Sequence, residues 1–370
     1  RPNGPITTLR VRVGIRRDRP RVLLVATPPS PFVSAPGSTP VRLVGRGRHL
    51  ANLERAMLGV DSAAEPAPRL VIGPAGFGVT ALLQHAYRRS VAKAWAAAYV
   101  DVTVDAPPAR DLVREALETA LRQHLDARPD SRRAPRMAEA IEGFARTSGR
   151  LDADLFEALH TLGPTMADAG VGLTIFFDNA HRRPADMAAL LRVSEALAGG
   201  GRPVALVFGG LPFDAAQTAQ LDVGPLGIEK VDELLAASRD AADRRYDPRA
   251  VDRIASLSNG VPFLVQTFAR GAWDATTGDL ISGDDVDRSR AAAQAAVLDE
   301  WYRPRTSGLD GTDIRYLKAI DPRLGGPATI EAVNQRLGDA TRLGGGSRFD
   351  DVREKLMTRG LVYIDTDGVL

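Results

Sequence analysis

The chain of 370 residues is long enough for two or three domains, and its 44% hydrophobic and 25% charged residues are ordinary for a soluble globular protein. It has no cysteine, which excludes disulfides, zinc–thiolate sites and thiol catalysis. No apolar run approaches the ~18 residues that a membrane span needs, so we expect a cytoplasmic protein with no membrane partner. The net charge of +2 is uneven: residues 1–48 hold ten arginines and one acid, a net of +9, and the remainder is therefore −7.

The N-terminal segment, residues 1–40, is rich in Pro, Ser and Arg. Such a composition cannot bury enough apolar surface to fold, so we predict a mostly disordered basic leader. Only residues 21–26 resemble a strand. A basic tail can attract nucleic acid or an acidic partner by charge alone, but we favour an unstructured leader.

Residues 41–225 alternate short apolar strands with amphipathic helices, which is typical of a parallel α/β sheet. The predicted strands are residues 70–72, 98–104, 173–177, 204–208 and, less distinctly, 221–223. The predicted helices are residues 49–58, 80–92, 108–125, 136–147, 154–169 and 184–198.

Beyond Pro225 the strand pattern stops, and two further domains are predicted. Residues 226–302 read as a helical lid domain with helices at 228–238, 248–258, 261–273 and 283–298. Residues 303–370 read as a winged-helix-like domain. It has helices at 312–320, 329–337 and 349–359, a strand at 361–364 and a turn at 365–368.

The loop between the first strand and its helix has the sequence of a phosphate-binding loop without its lysine. Its residues are Gly73, Pro74, Ala75, Gly76, Phe77, Gly78, Val79 and Thr80, followed in the helix by Ala81. The pattern G-x-x-x-x-G-K-[ST] is matched except at Val79, which stands in place of the lysine. Glycines let main-chain N–H groups converge on a phosphate at a helix N-terminus, and Thr80 is a candidate Mg²⁺ ligand. The alternative is a glycine turn with no ligand.

The strand at residues 173–177 ends in Asp178, about 100 residues after the loop, and is typical of a Walker B motif. Asp178 is the candidate that holds Mg²⁺ through water; the alternative is that it caps the following turn. Asn179 stands where an acid usually polarises the attacking water, and it is a far poorer base. His181 is expected to be a surface histidine rather than a γ-phosphate contact.

Hydrolysing enzymes of this class often carry a polar sensor residue at the end of the fourth strand, where this chain has Gly209 and Gly210. The lysine, the acid and the sensor are thus all absent. A unit charge ~4 Å from a phosphate is worth ~4 kcal/mol at an effective dielectric near 20. Even half of that loss would weaken nucleotide binding roughly ten- to hundredfold. Hydrolysis, which needs charge stabilisation and an oriented water, would suffer more.

These motifs together resemble the AAA+/STAND-type P-loop ATPases, near the origin-recognition-like initiator group. The similarity runs from about Leu43 to Tyr363. It also includes Leu43-Val44-Gly45-Arg46, which is similar to the first motif of the family, and Gly209-Gly210-Leu211-Pro212 after the fourth strand. Asn259-Gly260-Val261-Pro262-Phe263 is similar to the GxP motif of STAND proteins.

The resemblance implies that the chain binds ATP or ADP with Mg²⁺. Gly45 and Pro262 would then frame the base, the loop from Gly73 to Thr80 would hold the phosphates, and Asp178 the metal. Val79, Asn179 and Gly209 depart from the family pattern, so the catalytic residues are unassigned.

We interpret the chain as a regulatory switch that binds nucleotide weakly, hydrolyses it slowly or not at all, and acts on a protein partner. One alternative is an active ATPase in which an arginine or a partner replaces the lysine. Another is a nucleotide-free scaffold, or a DNA-binding regulator acting through residues 303–370. That segment holds eleven Lys or Arg against ten acids, which is no strong basic footprint. We therefore favour its use as a lock on the nucleotide domain.

Overall fold

The computed structural model describes residues 9–14, 21–26, 29–33, 37–38, 40, 42–58, 67–132, 134–167, 171–198, 203–213, 219–321, 328–338 and 349–362. The strands among them are β1 (Leu9–Gly14), β2 (Arg21–Ala26), β3 (Leu70–Ile72), β4 (Ala96–Asp101), β5 (Leu173–Asp178), β6 (Val204–Gly210), β7 (Gln220–Asp222), β8 (Arg245–Tyr246) and β9 (Leu280–Ile281). The α-helices are α1 (Gly47–Met57), α2 (Val79–Ala92), α3 (Ala109–Ala127), α4 (Ala134–Arg146), α5 (Leu151–Ala167), α6 (Pro184–Ala196), α7 (Ile228–Ala242), α8 (Pro248–Ser258), α9 (Pro262–Ala275), α10 (Gly283–Ala296), α11 (Arg303–Thr306), α12 (Gly311–Ala319), α13 (Ile330–Arg336) and α14 (Asp350–Thr358). A 3-10 turn covers Ala180–Arg182 and a π-helical turn covers Val297–Tyr302. Over these ranges, none of the helices is both long and apolar enough to cross a bilayer.

Five strands form one parallel sheet in the order β4-β5-β6-β3-β7. β5 and β6 are buried along their whole length, as strands covered by helices on both faces must be. β6 lies between β3, which leads into the glycine-rich loop, and β5, which ends in Asp178. Because the carboxyl ends of parallel strands share one edge, the loop and Asp178 lie at the same edge. The predicted parallel-sheet α/β core is confirmed.

The second strand of this sheet differs from its prediction at residues 98–104. β4 begins at Ala96 and ends at Asp101, and Val104 is exposed. Alanine is a weak strand former, so only the buried position between helices identifies this segment as a strand. The last residue of β4, Asp101, pairs in register with Asp178 of β5.

Residues 225–303, together with the chain up to Gly45, form a compact unit with its own core. Helices α7 to α10 confirm the helices predicted for the lid segment. The core is built around the fully buried Trp273 and includes Phe268 and Ile254. One expectation was wrong, because strands do not stop at Pro225: β8 and β9 form a short parallel pair.

Part of the N-terminal segment has defined structure, and the mostly disordered leader predicted for residues 1–40 stays a prediction. The ring of Phe32 packs edge-on against Tyr246 at 5.8 Å and Trp273 at 6.2 Å between centroids. β2 confirms the strand predicted at residues 21–26, and it pairs antiparallel with β1. The signal that identifies β1 is the period-two alternation of its apolar residues with arginine, from Leu9 to Gly14.

The C-terminal segment contains the three predicted helices, α12, α13 and α14. They pack around a small core that includes Tyr316, Val333 and Leu356, all fully buried. Leu361 and Val362 are not in a strand, whereas the rest of the predicted strand and the turn at 365–368 lie outside the described residues. The winged-helix-like domain therefore stays a prediction.

Candidate functional site: a phosphate loop beside Asp178

The glycine-rich loop is fixed to the sheet at its start and folded on itself at its turn. Gly73 N–H donates to the carbonyl oxygen of Gly210 at the end of β6, at 3.1 Å. Phe77 N–H donates to the carbonyl oxygen of Pro74, also at 3.1 Å. The first bond holds the start of the loop to the end of β6, and the second closes the turn within the loop.

The loop leads directly into the N-terminus of α2. Gly78, the residue before the helix, has φ 95°, a conformation that side-chain-bearing residues rarely adopt. The N–H groups of Val79, Thr80 and Ala81 begin the helix and have no intrahelical partner. Together with the positive end of the helix dipole, these donors suit an anion such as a phosphate.

Val79, the residue in place of the lysine, is packed rather than presented to solvent. It is 8% exposed. A Cβ built on Gly73 would lie 3.3 Å from Val79 Cγ2, and a Cβ built on Gly209 would lie 2.9 Å from Val79 Cγ1. A Cβ at Gly209 would also meet Leu83 Cδ1 at 2.4 Å. The two methyl groups of Val79 thus lie close to both the start of the loop and the end of β6.

Asp178 lies beside Thr80, as the loop and Walker B interpretation requires. The side chain of Thr80 is close enough to the Asp178 carboxylate to lower its pKa by hydrogen bonding. Tyr99 O–H donates to Asp178 Oδ2 at 2.6 Å, and Asn179 N–H donates to Asp178 Oδ1 at 2.9 Å. Burial raises the pKa of Asp178, and the hydrogen bonds from Tyr99, Thr80 and Asn179 oppose that rise. The 3-10 turn that follows has Asn179 at its N-cap and no side-chain cap hydrogen bond, so the capping alternative for Asp178 gains no support.

Tyr99 is a site residue that sequence reasoning missed. It lies on β4, next to β5, and its hydroxyl also hydrogen-bonds to the side chain of Gln84 on α2. Burial and the adjacent carboxylate of Asp178 raise its pKa, so Tyr99 keeps its proton and remains a donor. A contact between residues 79 positions apart leaves no signal in local sequence.

Asn179 is turned toward the neighbouring strand. Its backbone is left-handed, with φ 57° and ψ 35°, which asparagine tolerates better than most residues. Its side-chain Nδ2 donates to Asp101 Oδ1 at 2.7 Å at the end of β4. The amide of Asn179 is therefore engaged with Asp101, and an amide is not a base for activating water.

His181 is not the surface histidine that was expected. Its Nδ1 accepts a hydrogen bond from Leu211 N–H at 3.2 Å, and burial lowers its pKa to about 4. A Cβ at Gly210 would lie 2.6 Å from that Nδ1. The imidazole reaches the end of β6 because Gly210 has no side chain.

Arg46 is a second residue whose position sequence reasoning missed. It is 5% exposed, and its Nη2 donates to the carbonyl oxygens of Phe77 at 3.1 Å and Gly224 at 2.5 Å. Burial lowers the pKa of Arg46 below the ordinary value of an arginine. The first motif thus contributes a buried guanidinium to the phosphate loop itself.

Gly45 and Pro262 belong to the other compact unit, which includes residues 225–303. Pro262 is the first residue of α9, and Asn259 and Gly260 before it have left-handed backbones. Leu226 N–H donates to the carbonyl oxygen of Gly260 at 2.8 Å. Locally the GxP segment is the turn between α8 and α9, and its contact with a base stays a prediction.

The parallel sheet, the loop before α2 and the Asp-tipped strand define a P-loop NTPase core. Residues 42–208 match the family model of the AAA ATPase domain.

Solved structures with a similar fold share little sequence with the chain. A Walker-type ATPase of Pyrococcus abyssi is similar with a TM-score of 0.56 and 13% identity, over 92% of this chain and 96% of that one. At that identity the likeness concerns the fold alone. The Aeropyrum pernix ORC2 protein, in ADPNP–ADP complexes, has a TM-score of 0.48 and 16% identity over 90% of each chain. No protein of curated function matches the sequence.

Proposed function

We propose that this protein binds ATP or ADP with Mg²⁺ at the loop Gly73–Thr80, hydrolyses it slowly or not at all, and acts as a conformational switch. The observation that carries the proposal is the placement of the glycine-rich loop and of Asp178 at the same carboxyl edge of the sheet, where Thr80 lowers the pKa of the Asp178 carboxyl. It joins the two motifs that P-loop proteins use for phosphate and metal.

The residues at this edge suit a Mg–nucleotide complex chemically. A threonine hydroxyl and a carboxylate are the hard oxygen ligands that Mg²⁺ takes directly or through water. The main-chain N–H groups of Gly78, Val79 and Thr80 are donors for phosphate oxygens. When bound, Mg²⁺ would neutralise phosphate charge, while Thr80 and Asp178 would orient it.

Three residues support slow or absent turnover. Val79 brings two methyl groups where an ammonium would stabilise developing charge, and Asn179 N–H and amide are engaged with Asp178 and Asp101. Gly209 brings no sensor side chain, and Val79 and Leu83 lie within 3 Å of where its Cβ would be. Each lost charge-stabilising contact of this kind costs ~10²–10³ in rate.

The switch rests on differential binding. Nucleotide that engages the loop N–H groups stabilises the conformation in which Thr80 and Asp178 lie together, and shifts the population toward it. A protein partner would then read that conformation rather than the chemistry of hydrolysis. The role of residues 303–370 as a lock belongs to this proposal.

The decisive experiment is calorimetric titration of the full chain with ATP and with ADP, with and without Mg²⁺, before and after Val79→Lys. We expect weak binding by the native chain and about ten- to hundredfold tighter binding by the variant, because an ammonium is returned to the phosphate. Val104→Lys is the matched control, since it adds the same charge at an exposed valine.

Absence of heat and of any thermal shift at millimolar ATP, for both native chain and Val79→Lys, would refute nucleotide binding. A phosphate-release assay separates the switch from the active ATPase. Steady turnover that Asp178→Ala abolishes would show that the loss of the lysine is compensated.

A further inference from the structure

We infer that Arg46 is a positioning residue of the phosphate loop, whose guanidinium holds the Phe77 carbonyl so that the adjoining Gly78 N–H faces the bound phosphate. The inference rests on the proposed function and deepens it. It assigns to the first motif a part of the phosphate site, whereas the resemblance assigns that motif to the base.

The first step is the geometry of one peptide. The Phe77–Gly78 bond is trans, as all described peptide bonds are, and a trans peptide directs its C=O and N–H to opposite sides. Arg46 Nη2 lies 3.1 Å from Phe77 O. With the guanidinium on the carbonyl side, the Gly78 N–H is directed to the other side.

The second step concerns how freely the Gly78 N–H can change direction without Arg46. Gly78 has φ 95° and no Cβ, so the peptides that flank it rotate easily. A bond from a buried cation restrains that rotation more strongly than a neutral donor would. It also polarises the peptide, which strengthens the opposite N–H as a donor.

The third step is that Arg46 is itself fixed. Its Nη2 also donates to Gly224 O, at 2.5 Å, just after β7. Arg46 as a whole is 5% exposed, so its charge is screened little by solvent. It brings a positive charge to the loop from which the lysine is missing at Val79.

The test uses Arg46→Gln and Arg46→Lys in the full chain, with Arg48→Gln as the control. Arg48 is two residues away and exposed, so its replacement removes the same charge without touching the loop. ATP–Mg²⁺ and inorganic tripolyphosphate are titrated by calorimetry. We expect Arg46→Gln to bind both about tenfold more weakly, as the loss of one charge-assisted hydrogen bond predicts, and Arg48→Gln to bind like the native chain.

Arg46→Lys separates positioning from charge, because lysine keeps the charge but lacks the planar fork. We expect the affinity of Arg46→Lys to fall between that of the native chain and that of Arg46→Gln. It also serves as the folded variant if Arg46→Gln does not fold.

Amide hydrogen exchange of residues 73–80, measured without ligand, gives a readout that does not depend on nucleotide. In the Arg46 variants the exchange of this segment should become several-fold faster, while that of β5 is unchanged. Equal affinity and equal loop exchange in native and Arg46 variants would overturn the inference. Absence of binding by the native chain, with faster loop exchange in the variants, would instead overturn the proposed function alone.

Discussion

Replacing Gly209 with alanine tests whether the end of β6 is closed to any side chain. The new Cβ would lie 2.4 Å from Leu83 Cδ1 and 2.9 Å from Val79 Cγ1. Carbon atoms in good contact are ~3.5–4.0 Å apart, so both neighbours have to move. Overpacking of this kind costs about 1–3 kcal/mol, which in a domain of this size lowers the unfolding temperature by roughly 2–12 °C.

The assay is differential scanning calorimetry of the ligand-free protein, with Gly143→Ala as the matched control. Gly143 lies inside α4, and a Cβ there meets nothing within 4 Å. The control should gain about 0.5–1 kcal/mol, because alanine favours the helix.

A double variant shows whether Val79 is responsible. Val79→Ala alone removes two buried methyl groups and should cost ~1.6 kcal/mol. In that background Gly209→Ala should cost less than in the native chain, with a coupling of ~0.5–1 kcal/mol. Additive effects, or a Gly209→Ala variant as stable as the native chain, would refute the steric reasoning.

Three further predictions concern the groups around Asp178. Asp178→Asn should abolish the Mg²⁺-dependent gain in nucleotide affinity. Burial raises the pKa of Asp178, so the stability of the ligand-free protein should fall as pH rises through that pKa. Asp178→Asn should remove this pH dependence in thermal denaturation. The pKa of His181 is lowered from 6.5 to about 4. The native protein should therefore lose ~3 kcal/mol of stability as pH falls from 6.5 toward 4, where the unfolded chain binds the proton more readily. His181→Asn should reduce this acid loss in unfolding titrations. Tyr99→Phe should lower the free energy of unfolding by ~1–2 kcal/mol, because the hydrogen bond to Asp178 is lost. The control is Tyr87→Phe, at a ring whose centroid lies 6.0 Å from that of Tyr99, and it should keep native stability.

Much of the fold follows from local sequence because the signals are local. The apolar run of β3 and the helix α8 were predicted with their observed bounds, since each is delimited by glycine or proline. The predicted bounds of β4 differ from the observed ones because its alanines have almost no strand preference. The glycine-rich loop was predicted because its main-chain conformation requires glycines at a fixed spacing.

The remainder of the site depends on contacts between distant segments. Nothing near Arg46 in sequence indicates that its guanidinium meets Phe77, and nothing near Tyr99 indicates Asp178. The expectation for His181 was wrong for the same reason. Its burial depends on the missing side chain of Gly210, which is on another strand.

The tip of β6 is occupied from both sides: Val79 and Leu83 approach Gly209, and the imidazole of His181 approaches Gly210. The space that a side chain at position 209 or 210 would need is therefore already filled. A residue introduced at either glycine has to displace these neighbours, so the tip of β6 should tolerate substitution poorly even where it contacts no ligand.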